Sequence, residues 1–211
     1  MRLVALPGVF SPISDSWMLV DALRAELRPG ARVLDLCTGS GVAAIAAALA
    51  GAEESVAVDV SRRSVLTVRL NARLNGVRVR ALRGDLTAPV RGERFDVITS
   101  NPPYVPAAGD ALPDRGPERA WEAGRDGRAL LDRVLEEAPP LLTPGGALLV
   151  VHSDLIGEAR TLERMRAAGL HADVAVRRRG PLGPLMRARA EAGLLPPGTT
   201  DEEVLVFRGR G

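Results

Sequence analysis

Arg32-Val33-Leu34-Asp35-Leu36-Cys37-Thr38-Gly39-Ser40-Gly41 is the stretch that decides the fold. Its first half is a short apolar run that reads as a buried strand. Gly39 and Gly41 permit a tight turn and a close backbone approach. The small-residue run Val42 to Ala50 then reads as a helix closed by Gly51. A strand feeding a helix through glycines presents free backbone N–H groups at the strand's end. The pattern, acidic-x-Cys-x-Gly-x-Gly, fits the G-x-G-x-x-G dinucleotide fingerprint badly.

The same alternation continues outward. Upstream, Ser14 to Leu27 reads as a helix with Leu19, Leu23 and Leu27 on one stripe and Ser14 or Asp15 near its cap. Downstream, Ser55 to Val60 is a strand ending in Asp59, and Ser61 to Asn75 a helix stopped by Gly76. Val77, Val79 and Ala81 alternate in a third strand, followed by Gly84-Asp85, and Phe95 to Ser100 is a fourth. A long proline-rich connection, Val105 to Gly127, leads to a helix over Arg128 to Ala138. Strand five is Ala147 to His152, a helix covers about Leu155 to Ala168, strand six is Ala172 to Arg178, and Val204 to Phe207 is a last strand. Alternating strands and helices predict an α/β domain with a mostly parallel sheet. We expect one domain over residues 1–211, with an N-terminal helical segment (1–30) and an insertion between the last two strands (180–200).

Composition narrows the class. A hydrophobic fraction of 46% can fill a core and 26% charge argues against disorder. With aromatics at 3%, that core must be mostly Ala, Val and Leu. All basic residues are arginine, which together with the excess of Ala, Gly and Pro reads as coding bias from a GC-rich genome. The single Cys37 excludes an intrachain disulfide and fits a reducing compartment. No apolar run approaches the ~20 residues of a membrane helix, so a soluble cytoplasmic protein without membrane contact is expected.

After strand four comes Asn101-Pro102-Pro103-Tyr104. Two prolines remove two backbone donors and stiffen the turn. Their carbonyls and the Asn101 side chain remain as acceptors, and Tyr104 offers a flat face. That suits a planar group bearing an NH2, an amide or a nucleobase amine. Such a nitrogen is a poor nucleophile because its lone pair is conjugated. Fixed acceptors stabilise the positive charge that grows on it, which is differential transition-state binding. Asp35, Asp59 and Asp85 close three successive strands. Each alone reads equally well as a turn or helix cap, but together with the four-residue motif they line one sheet edge.

These segments resemble the amino-methyltransferase branch of class I S-adenosylmethionine (SAM) methyltransferases, with Cys37 where that family usually has glycine. Gly8 to Ser16 and Ala120 to Arg128 are similar to the HemK-related release-factor glutamine methyltransferases, in particular the short eukaryotic and archaeal type. The likeness runs from about Gly8 to Val151 and then weakens. The ~30 residues before strand one leave no room for the helical domain of the bacterial type. The resemblance implies a Rossmann-like seven-stranded sheet, mostly parallel with the last strand antiparallel and helices on both faces. It implies SAM as cofactor, leaving S-adenosylhomocysteine. Ser16, Asp35, Cys37, Gly39, Gly41, Asp59, Asp85, Leu86 and Asn101 would hold it: Asp35 near the methionine amino group, Asp59 on the ribose hydroxyls, Asp85 and Leu86 at the adenine. The catalytic set would be Asn101, Pro102, Pro103 and Tyr104, with Asn101 and Pro102 accepting from the target NH2 and Tyr104 packing on the substrate plane. The Val105–Gly127 connection would cover the substrate.

The implied acceptor is a protein side-chain amide, the glutamine of a release factor, and short members of this type pair with a small zinc-binding activator. A nucleobase amine or small molecule fits the same four residues, and a non-catalytic SAM-binding subunit is a third reading. No metal is expected, since no Cys/His cluster is present. His152 and His171 read as structural or exposed. Arg177, Arg178, Arg179, Arg187 and Arg189 fall in a segment without acids. They suit guidance of RNA or of a ribosome-associated protein, but a solvated face is the simpler reading, and no interleaved aromatics support base stacking.

Overall fold

The computed structural model describes residues 1–114 and 116–211; Arg115, within the long connection, lies outside the described residues. The strands are β1 (Arg32–Leu36), β2 (Glu54–Asp59), β3 (Arg80–Arg83), β4 (Phe95–Ser100), β5 (Leu142–Ser153), β6 (His171–Pro181) and β7 (Asp201–Arg210). They form one sheet in the order β3-β2-β1-β4-β5-β7-β6. β1 to β5 pair in parallel, and β7 runs antiparallel to both its neighbours, β5 and β6. The helices are α1 (Ser14–Glu26), α2 (Val42–Leu49), α3 (Arg62–Leu74), α4 (Ala129–Glu137), α5 (Glu158–Ala167) and α6 (Pro184–Glu191).

The two-residue period of the strands sorts the core into two layers. Val33, Val97, Leu149, Val151 and Val206 pack with Met18, Leu19 and Leu23 of α1 and the alanines of α2. Leu34, Leu36, Ile98, Leu148, Val150 and Phe207 face the other way, onto Leu131 and Leu135 of α4 and Met165 of α5. Ala44 of α2 and Val65 and Val68 of α3 pack with the strand alanines Ala57 and Ala81. Gly41 has φ +85°, and a Cβ there would lie 2.9 Å from Val68 Cγ2, so the turn into α2 accepts glycine alone.

Three expectations need correction. Val77 and Val79 precede β3, whose Arg80 is exposed. β6 and β7 are far longer than their apolar cores because each pairs along its length with the other, from His171↔Arg210 to Pro181↔Asp201. Neither Ser14 nor Asp15 caps α1: Ile13 stands at the cap, and the Asp15 side chain is used elsewhere. In the 180–200 stretch, Leu182, Met186 and Leu195 join the main core cluster.

His152 lies inside β5, fully buried and stacked on Phe207 with ring centroids 4.3 Å apart. Its Nδ1 meets the Ser153 carbonyl at 2.7 Å and its Nε2 the Thr161 hydroxyl at 2.8 Å. Burial lowers its pKa to about 4, so it is neutral. Thr161 also accepts from Arg128 Nη1 at 3.1 Å. Arg128 is 2% exposed, donates to the Ile156 carbonyl at 2.7 Å and pairs with Asp132 at 2.7 Å. This guanidinium fastens the end of the long connection to the start of α5. Arg128→Met should lower stability by roughly 2–4 kcal/mol, because buried carbonyls lose their donor; urea denaturation measures it.

Candidate active site

The connections diverge between β1 and β4: β1 leads outward to β2 and β3, β4 in the other direction to β5. A crevice opens at such a switch point, beyond the carboxyl ends of the strands. A cavity of about 1010 Å³ lies there. Ser16, Asp35, Cys37, Gly39, Asp59, Asp85, Leu86 and Asn101 to Tyr104 all line it. Gly41 does not; it packs behind the loop on Val68.

Asp35 is 3% exposed, and both its oxygens accept from hydroxyls: Thr38 at 2.5 Å and Thr99 at 2.8 Å. Burial raises its pKa to about 6, although the two hydroxyls pull it down. No ion pair among the described residues reaches it. A buried carboxyl without a cation is a receptor for one. Asp59 accepts the Gly39 N–H at 2.9 Å and the Ser61 N–H at 2.8 Å. Burial raises its pKa too, opposed by those two N–H groups, by the Ser64 hydroxyl and by Arg119, which lines the same cavity. Asp85, in contrast, is exposed and held by both terminal nitrogens of Arg133, at 3.1 and 2.8 Å. Its place at the rim is shared with that arginine.

Cys37 and Leu86 are the non-glycine residues with positive φ, +55° and +41° among the described residues. The left-handed turn at Cys37 explains why glycine suits this position; an L-residue there is strained. Burial, with Asp59 next in weight, holds the thiol protonated, so Cys37 is a packed small residue rather than a nucleophile.

After β4 a chain of hydrogen bonds returns to α1. Asn101 Nδ2 donates to Ser16 Oγ at 3.3 Å, and Ser16 Oγ donates to Asp15 Oδ1 at 3.3 Å. The Ser16 N–H reaches the same oxygen at 2.6 Å. Tyr104 OH donates to Asp15 Oδ2 at 3.0 Å. With its amide nitrogen committed, Asn101 keeps Oδ1 as an acceptor. Among the described residues no backbone N–H donates to the Pro102 carbonyl. Tyr104 is less free than a stacking platform would be: its hydroxyl is tied, and burial followed by the Asp15 charge pushes its pKa well above the usual range.

The long connection clamps this turn. Val105 N–H donates to the Trp121 carbonyl at 2.7 Å, Ala123 N–H to the Val105 carbonyl at 3.1 Å, and Ala107 N–H to the Gly124 carbonyl at 2.9 Å. Gly127 has φ +69°, and a Cβ there would lie 2.3 Å from the Tyr104 carbonyl oxygen. Trp121 is thus half-buried against the core, and its backbone does the holding. Glu122 pairs with Arg189 of α6 at 2.5 Å. Arg177 pairs with Glu158 and Glu203, while Arg178 and Arg179 line the cavity. The β6–β7 segment therefore forms a wall of the site. Asp15 is a further site residue that local sequence does not reveal, since its position suggests only a cap.

The methyltransferase small domain family model matches residues 1–112, just over half of the chain. The chain belongs to that family. A Methanocaldococcus jannaschii protein, whose name assigns it provisionally as a protein N5-glutamine methyltransferase, is 34% identical over 88% of this chain and 93% of its own length. The release factor glutamine methyltransferase of Bordetella pertussis is 40% identical over 78% of this chain, which spans 63% of that protein. The E. cuniculi Mtq2-Trm112 complex, titled for methylation of the eRF1 termination factor, superposes with a TM-score of 0.66 at 23% identity, covering 96% of this chain and 98% of that one. The last is a likeness of fold, and it matches the Rossmann-like methyltransferase sheet. Among the described residues no group of three or more His, Cys, Asp or Glu is placed to hold a metal, and no helix is long and apolar enough to cross a membrane.

For this family member the Asp35 pKa carries a stability consequence. The folded value lies above the unfolded one, so its contribution is full below pH ~3.8 and is lost as pH rises through about 6. Asp35→Asn should melt above wild type at pH 8, with the advantage shrinking towards pH 5; thermal denaturation of both proteins at the two pH values checks this.

Proposed function

We propose that the protein is a cytoplasmic, single-domain SAM-dependent N-methyltransferase acting on the side-chain amide of a protein glutamine, with a translation release factor as acceptor. The Asn101–Ser16–Asp15–Tyr104 chain carries this reading, because it presents a fixed acceptor oxygen at the switch-point crevice.

The lining residues fit SAM. Asp35, buried and without a cation, suits an ammonium. Asp59 retains lone-pair capacity for ribose hydroxyls beyond its Gly39, Ser61 and Ser64 partners. Leu86 and Cys37 offer apolar contact on the adenine side, with Asp85 at the rim. When bound, SAM supplies a methyl group on a sulfonium, already activated towards a nucleophile. Asn101 Oδ1 and the Pro102 carbonyl then accept from the two hydrogens of the target NH2. Their pull strengthens as the nitrogen gains positive charge, so they favour the transition state over the bound amide. Asp15 holds Asn101 through Ser16 and Tyr104 directly, so the acceptors need no reorganisation during the step.

A nucleobase amine is the second reading, favoured by Arg178 and Arg179 on the cavity wall. Methylated-nucleoside analysis of knockout and parent cells decides it. A small activator subunit has a suitable surface at the open edge of β3, beside Leu66, Leu70 and Leu74, which α3 leaves 54%, 42% and 44% exposed.

Incubation with labelled SAM and a release factor containing Gly-Gly-Gln should label the glutamine; no transfer, beside a working positive control, rejects that acceptor. Asn101→Ala should lower kcat by ~10²–10³-fold while SAM still raises the melting temperature. SAM affinity should weaken as pH falls below about 6, where Asp35 takes up a proton; calorimetric titration between pH 5 and 8 reads this.

A further inference from the structure

Glu202 is an acid that no part of the proposed mechanism uses, and its environment is unusual. It stands second in β7, whose amino end lies at the carboxyl edge of the parallel strands because β7 runs antiparallel to β5. It is 8% exposed and lines the active-site cavity. One carboxyl oxygen, Oε1, accepts the Gly183 N–H at 2.9 Å, at the start of α6. The other, Oε2, is buried and has no hydrogen-bond partner among the described residues. Its ladder partner is Gly180, and the following segment is poor in donors, since Pro181 and Pro184 carry no N–H. A buried oxygen without a donor is destabilising by itself. Such a cost persists where the group has a use.

Its neighbours say which use. Glu202 is on β7, which lies beyond β4 and β5 in the sheet, and it lines the cavity together with Tyr104, which places it on the acceptor side. Asp35 and Asp59, the groups suited to SAM, lie across the switch point at the ends of β1 and β2. The wall around Glu202 is mixed, with Pro181, Leu185 and Met186 beside Arg178 and Arg179 in lining the same cavity. The two hydrogens of the target amide are already assigned to Asn101 and Pro102. We propose that Glu202 Oε2 is a specificity-determining acceptor that takes a backbone N–H of the peptide flanking the target glutamine. This rests on the glutamine reading above. It would discriminate an extended peptide, which presents such a donor, from a free amide, which does not.

Glu202→Gln is the clean test. It keeps an oxygen for the Gly183 N–H and replaces Oε2 with a donor that repels a peptide N–H. With a Gly-Gly-Gln peptide as acceptor, KM should rise about 10- to 100-fold, the loss of one hydrogen bond to a charged group. kcat, SAM affinity and melting temperature should stay near wild type. A wild-type assay on peptides in which an ester replaces the amide before or after the glutamine should show the same loss for one of the two. That ester should cost Glu202→Gln little more. An unchanged KM in the variant, or equal penalties for the ester in both proteins, overturns the proposal. So does a fall in kcat that tracks a lowered melting temperature, since this is what a purely structural acid predicts. If wild type itself fails on the all-amide peptide, the glutamine reading is what has failed, and the role of Glu202 falls with it.

Discussion

The Asp15 carboxyl, buried at the start of α1, holds the site together. One oxygen gathers the Ser16 amide and hydroxyl, the other the Tyr104 phenol. Through Ser16 it fixes Asn101, so the first helix and the turn after β4 are oriented by one group. The covalent distance between these parts is more than eighty residues. What joins them is the packing of α1 across β4 and β5, which brings its amino end to the carboxyl edge of the sheet. Hydrogen bonds to a buried carboxyl are strong and directional, and leaving one unmade is expensive. The arrangement is therefore rigid before any ligand arrives.

The same edge concentrates unfavourable features. Asp35 has lost its water without gaining a cation, and Cys37 and Leu86 hold left-handed backbone. Glu202 keeps one oxygen without a partner. None of these recurs in the body of the sheet, where valines, leucines and alanines fill both layers. Stability comes from those layers and from the Arg128 cluster, while the edge stays committed to binding.

The arginines divide in the same manner. Arg177, Arg187 and Arg189 serve the fold through partners in the chain, and Arg178 and Arg179 stand on the cavity wall. A run of like charge in sequence thus separates in space, because acids on α5, β7 and the long connection take some of its members. The solvated-face reading holds for part of the segment.

Much of this protein is decided locally and was legible from residues alone. A strand running into glycines, an acid at each of three strand ends, and two prolines after a fourth are constraints within a few positions. They specified an α/β sheet with an acceptor-rich edge. Asp35, Asp59 and Asn101 were found in that way, and all three line the cavity. The span of β6 and β7 was not legible, since their polar ends pair only with each other. Asp15 and Glu202 escaped for a similar reason. A carboxyl near a helix start or a strand start has a ready local explanation. Its real partners lie on chain segments far away in sequence. The sequence by itself therefore determined which acids and acceptors crowd the edge. Which groups hold that chemistry in place, and which remain to meet a substrate, was decided only when long-range packing buried them and left each oxygen with or without a donor.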